Sequence, residues 1–149
     1  MLDFFTAMHK YSRGFTLVEL LIVMAVVGIL AVMAVPRFAE LIDKSKEGAT
    51  KGHLGNIRSA VQVYYGQNDG FYPVDNLASI VPDYLVSVPV AKTPRCARDS
   101  NAIHTGDSST SVDGSGGWAY NNSRTDADWG RVAINCLGTD LSQHLWTEY

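Results

Sequence analysis

Between Phe15 and Val35 the chain carries an unbroken apolar run in which only Thr16, Glu19 and Gly28 fall outside the aliphatic, aromatic and methionine set. As a helix rising about 1.5 Å per residue it measures about 31 Å, enough to cross the roughly 30 Å hydrocarbon core of a bilayer. A secretory signal core is shorter, about 7 to 15 apolar residues, and ends in a small-residue cleavage site. Here the small residue, Gly14, precedes the run. Upstream, Lys10 and Arg13 outnumber the single acid, Asp3. The positive-inside rule then keeps residues 1–14 in the cytoplasm and sends the C-terminal bulk outward, N-in and C-out.

Glu19 is the exception inside this run, because a carboxylate in an isolated membrane helix costs about 2.5 to 3.5 kcal/mol. If the chain is cut after Gly14, Phe15 gains an α-amino group that is cationic at neutral pH, and that amine, its own or a neighbour's, is a natural partner for Glu19. The alternative is that Glu19 lies near the headgroups and reaches water. Position alone leaves both open.

Arg13-Gly14-Phe15-Thr16-Leu17-Val18-Glu19-Leu20-Leu21-Ile22-Val23 resembles the N-terminal signature of type IV pilins and of the pseudopilins of type II secretion systems. The resemblance covers residues 13–38. It implies that a prepilin peptidase cuts between Gly14 and Phe15 and N-methylates Phe15, and that Glu19 neutralises the N-terminus of an adjacent subunit during assembly. Gly28 and Pro36 sit where family members have them, and related filaments tend to unwind the helix between such points. The implied function is that of a structural subunit of a type IV pilus, for adhesion, motility or DNA uptake. The alternative is a pseudopilin of a type II secretion system, and a membrane-tethered binding or enzymatic domain ranks third. The implied partners are further copies of the chain in a helical homopolymer, prepilin peptidase, an inner-membrane assembly platform, and lipid before assembly. The implied location is the bacterial inner membrane, then a cell-surface pilus or a periplasmic pseudopilus.

Pro36 removes one backbone hydrogen bond and disfavours helix at Val35, so a kink or break is expected there. Helical character resumes, with Phe38, Leu41, Ile42, Ser45, Ala49, Leu54, Ile57, Val61, Tyr64 and Tyr65 recurring at three- and four-residue steps. Glu40, Asp43, Lys44, Lys46, Glu47 and Lys51 read as a mixed, solvated face. Gly48, Gly52 and Gly55 are costly inside a helix. They either admit a closely packed element, the preferred reading, or mark a compliant segment. Asn68-Asp69-Gly70 stops the helix.

The expected organisation is a leader at 1–14, a membrane or filament-core helix at 15–35, an amphipathic helix at 36–67 and a globular part at 68–149. The four prolines between Phe71 and Arg95 suit a short helical turn followed by an irregular or edge strand at 85–90. Residues 99–117 read as a mobile surface loop. Strands at 118–120 and 132–134 flank a polar connection and form a hairpin, with a third strand at 145–149. Trp146 and Tyr149 are expected to cap the core. The fold class is therefore α+β: a long N-terminal helix, half transmembrane and half amphipathic, packed on a small three- or four-stranded antiparallel sheet, the lollipop shape that the resemblance also implies.

Cys96 and Cys136 fall in the half expected outside the cytoplasm, where a disulfide persists. Closing a loop of about 40 residues contributes about 4 kcal/mol in the chain-entropy model. Pilins commonly bracket a variable loop with such a bridge, so the pair favours pilin over pseudopilin.

Catalytic and cofactor readings find little support. His9, His53, His104 and His144 share no metal spacing, and neither a Gly-x-Ser-x-Gly elbow nor a phosphate loop is present. No enzyme activity and no cofactor are expected. Asp107 with Asp113, and Asp126 with Asp128, are weak calcium candidates whose spacing matches no compact oxygen-ligand motif. The net charge of -3 becomes -4 without residues 1–14, which leaves nucleic acid an unlikely main partner. Lys92, Arg95 and Arg98 read as a solvated patch, and the aromatics at helical spacing read as packing.

Overall fold

The computed structural model describes residues 14–96 and 98–149; the leader, with Asp3, His9, Lys10 and Arg13, lies outside the described residues except for Gly14. Two compact units are present, one through Ala39 and one from Glu40 to Tyr149. Helix α1, Leu17–Gln67, contributes to both.

In the first unit α1 presents its apolar side chains to the surroundings, from Phe15 at 75% exposure through Val35. An 18-residue window of the helix has mean hydropathy 2.8 with none of it buried, so length and composition suit a membrane span. Of the kink or break expected at Pro36, a break is absent. Pro36 lies inside a continuous helix, because one missing hydrogen bond is absorbed where the flanking turns are intact. Gly28 is likewise helical.

In the second unit the buried stripe of α1 runs through Glu47, Thr50, Leu54, Ile57, Ala60 and Val61. Those positions follow three- and four-residue steps and so share one face. Phe38, Leu41 and Ile42, expected on that face, are exposed. Beyond the helix's own backbone, nothing among the described residues comes within 4 Å of where a side chain at Gly48, Gly52 or Gly55 would begin, so the close approach expected there does not occur among them.

The sheet has the order β1-β2-β3, from Ile103–Gly106, Trp118–Asn121 and Val132–Ile134. The β2–β3 hairpin is antiparallel, as expected, with Trp118 opposite Ile134 and Tyr120 opposite Val132. Trp118, Tyr120, Val132 and Ile134 join Leu54, Ile57 and Val61 in one core with Leu77, Ile80 and Trp146. Neither the helix stripe nor the sheet face can leave water alone. Trp118 Nε1 donates to Pro89 O (2.8 Å) and the Tyr120 hydroxyl to Pro73 O (2.6 Å), which pins the proline-rich connection while satisfying both buried polar groups.

Three details of the expected sheet are corrected. It is mixed, because β1 pairs parallel to β2, and residues 99–117 therefore contain a strand. Gly117 makes this pairing feasible: its φ is +80° and a Cβ there would collide with the Ala102 carbonyl, the same oxygen that accepts from Trp118 N at 2.8 Å. Residues 85–90 form no strand; only Ala91 makes an isolated bridge, to Ser100. Trp146–Glu148 is a 3-10 turn rather than a strand, since Trp146 enters the core while Tyr149 is held by α1, as described next.

Candidate functional site

Thr16 and Glu19 form a reciprocal cap at the start of α1. The Thr16 N–H and hydroxyl donate to Glu19 Oε2 at 2.9 and 2.7 Å, and Glu19 N–H donates to Thr16 Oγ1 at 3.1 Å. This is the Thr-x-x-Glu capping box, which satisfies backbone donors that a helix N-terminus otherwise leaves orphaned. Glu19 thus stands one turn from Gly14 and Phe15, with its charge at the positive end of the helix dipole. In the free chain the carboxylate is partly compensated by its own helix, and Oε1 takes no hydrogen bond among the described residues.

A second polar constellation, missed in the sequence, ties α1 to residues 132–149. Glu47 accepts from Leu141 N–H through both carboxylate oxygens at 3.1 Å. Lys51 Nζ donates to Asp140 Oδ2 (2.6 Å) and to the Tyr149 hydroxyl (2.8 Å), and it lies 4.1 Å from the Tyr149 ring centroid. Arg58 donates to Val132 O through Nε (3.0 Å) and Nη2 (2.7 Å), and Nη2 also reaches the main-chain oxygen of Tyr149. Glu47 and Lys51 were expected in solvent; the only available signal was their spacing on the Thr50 and Leu54 face.

Asp140 anchors this seam with a fully covered side chain. Burial alone would raise its pKa, but donation from Lys51, Tyr149 and the N–H groups of His144 and Ser142 outweighs it and holds the carboxyl well below the usual carboxylate range. A group depressed on folding stabilises fully above its unfolded pKa, about 3.9, and loses that contribution as pH falls toward the folded value. Asp140→Asn should therefore destabilise the protein at pH about 7, and the gap to wild type should shrink by pH about 2.5. Urea unfolding at the two pH values checks this; a gap that widens in acid would reverse the sign.

The four weak calcium candidates are engaged by donors of the chain, some from their own loops and some from neighbouring segments. Asp107 Oδ1 accepts from Ser109 N and Thr110 N, both at 2.9 Å. Asp113 Oδ1 accepts from Ser115 Oγ (2.6 Å) and Asn135 Nδ2 (2.7 Å). Asp126 Oδ2 accepts from Ser108 N and Oγ, both at 2.8 Å, which with the Asp128 N–H lowers its pKa to about 2. Asp128 pairs with Arg131 at 3.3 Å. Among the described residues no three His, Cys, Asp or Glu side chains form a metal-holding group.

Cys96 and Cys136 are joined in a disulfide with Cα atoms 5.9 Å apart, inside the usual range. It fastens the start of the β1 region to the residue two beyond β3.

Residues 9–35 match the family model of the prokaryotic N-terminal methylation motif. The chain is similar to the fimbrial protein EcpC of Eikenella corrodens, 36% identical over 72 residues, which are 48% of this chain and 46% of that one. It is similar to the type IV major pilin protein PilA of Myxococcus xanthus, 35% identical over 48% of this chain and 33% of that one. It is also similar to the type IV major pilin protein PilE of Neisseria gonorrhoeae, 38% identical over 48% and 42% of the two chains. The chain spans less than half the length of these relatives. No solved structure matches it. The methylation motif leads into the apolar helix capped by Thr16 and Glu19, and an α+β C-terminal unit follows. The chain is thus similar to type IV pilin and fimbrial proteins over about half of its own length.

Proposed function

We propose that this protein is a structural subunit of a type IV pilus, polymerising through its N-terminal helix and not acting as an enzyme. The observation that carries the reading is the uncovered apolar length of α1 with a carboxylate one turn from the Gly14–Phe15 junction. Such a surface is tolerable in lipid or against copies of itself, and intolerable in water. Before assembly the helix sits in the inner membrane with its C-terminal unit outside. After the leader is cut and Phe15 methylated, an assembly platform transfers the helix from lipid contacts to contacts with other subunits. Glu19 then exchanges its own Thr16 donors for the amine of a neighbour. Gly28 and Pro36 mark the stretch that loosens in the fibre, since one is a weak helix former and the other lacks an N–H. The pilin and fimbrial names of the relatives favour a pilus over a secretion filament.

Sheared surface fibres should contain this chain beginning at Phe15 with one added methyl on its amine. Mass spectrometry of purified fibres reads this directly, and recovery of residues 1–14 on the mature chain would refute the processing step.

A further inference from the structure

The face of the sheet turned away from α1 is built differently from the core face. Where the core side places Trp118, Tyr120, Val132 and Ile134, the far side places Ala119 directly opposite Ala133. Both alanines are buried, because residues 108–112 and Leu137 arch over them. Interiors normally fill such space to close-packed density. Here a cavity of about 250 Å³ remains.

Its chemistry is specific. Ala119, Ala133, Val112 and Leu137 supply apolar wall. Ser111, only 4% exposed, also lines it, and its hydroxyl makes no hydrogen bond among the described residues. Asn121, 2% exposed, lines it too, and its Nδ2 has no hydrogen-bond partner. The Asn121 side chain also stands close enough to the Asp126 carboxyl to help lower its pKa, so the amide faces a carboxylate as well as the cavity. The contrast with Asn135 is instructive: its Nδ2 is bonded to Asp113, Ser115 and Gly116. Arg131, the one cationic side chain on the wall, is already occupied by Asp128 at 3.3 Å and by Thr147 O at 2.9 Å. The cavity thus presents hydroxyl and amide groups above an aliphatic floor, with one half-exposed guanidinium, partly engaged, on its wall.

We infer that this cavity binds one neutral, hydroxyl-bearing ring, a single sugar residue, with Ser111 hydrogen-bonding a ring hydroxyl and the Ala119–Ala133 floor meeting the C–H face. At about 30 Å³ per water the space holds roughly eight waters, matching a ligand of about a dozen heavy atoms or fewer. A cation would find no carboxylate among the lining residues, and an anion would have to draw Arg131 away from Asp128 and Thr147, each of which is costly. The alternating C–H and O–H surface of a pyranose matches both kinds of wall. The ring is either a free monosaccharide or the terminal unit of a surface glycan.

The test is saturation-transfer NMR on the full mature chain in detergent, with D-glucose, D-galactose, D-mannose and N-acetyl-D-glucosamine as probes, each free and as the terminus of a short glycan, and acetate as the anionic control. Saturable binding of at least one sugar is expected, with Kd on the order of 1 mM. Ser111→Ala should weaken it about tenfold. Ala133→Leu, which fills the floor, should abolish it. Stronger binding of the glycan identifies that source, and equal binding identifies the free sugar. If Ala133→Leu misfolds by circular dichroism, the Ser111→Ala result decides. No saturable sugar signal, tighter binding of acetate, or binding indifferent to Ser111→Ala would each overturn the assignment.

Discussion

Glu19→Ala and Glu19→Gln are both expected to abolish fibres while the chain still enters the membrane. Insertion should be intact or improved, because each variant removes a charge that costs about 2.5 to 3.5 kcal/mol in an isolated membrane helix. The two variants differ at the cap. Alanine deletes the acceptor that bonds Thr16, whereas glutamine keeps an oxygen in the same place, and Gln serves in capping boxes as Glu does. If the role of Glu19 were only to close its own helix, Glu19→Gln would assemble normally. If the carboxylate pairs with a neighbour's amine, both variants leave a buried cation alone, at about 3 to 5 kcal/mol, more than a hundredfold in each subunit addition. Counting fibres by electron microscopy, beside membrane fractionation of the same cells, separates these outcomes. Wild-type fibre numbers in Glu19→Gln would remove the ion-pair account.

Loss of the Cys96–Cys136 bridge should have the largest effect on the C-terminal unit. The bridge closes a loop with sequence separation 40, which in the chain-entropy model stabilises by about 4 kcal/mol. For a unit of this size each kcal/mol moves the melting temperature by about 4 to 8 °C. The double variant Cys96→Ser, Cys136→Ser should therefore melt about 15 °C or more below the oxidised protein, and reduced wild type should fall with it. Thermal circular dichroism of the full chain in detergent makes the comparison. A drop below about 5 °C would show that the bridge only trims a loop already held by the surrounding hydrogen bonds.

Much of this fold was legible where a signal was local. The apolar run from Phe15 and the end of α1 near Gln67 follow from composition and from Asn68-Asp69-Gly70. The β2–β3 hairpin follows from apolar triplets around a polar connection. What escaped depended on distant partners. β1 has one large apolar residue, Ile103, and its parallel pairing rests on the room that Gly117 leaves beside Ala102. Glu47 and Lys51 look like solvated charges until residues 140–149 cover them, about ninety positions away. Asn135, fully buried, organises the turn at Asp113 and Gly114, yet nothing around it in sequence announces that. At the N-terminus the Thr-x-x-Glu pattern was in plain view, but reading Glu19 as a membrane cost drew attention from its ordinary role as a cap.

The seam that joins α1 to residues 132–149 also sets a timetable. Its bonds span 74 to 98 residues of sequence, so the helix is synthesised long before its partners. Contacts of such separation form late, after the loop entropy has been overcome. During that interval the Leu54, Ile57 and Val61 stripe faces water uncovered, and the newborn subunit is at its most vulnerable to proteases and to wrong neighbours. Release from that state comes when the strand at Val132 and the residues after it arrive. The C-terminal unit thus matures as one late event, after the helix on which it packs has been made.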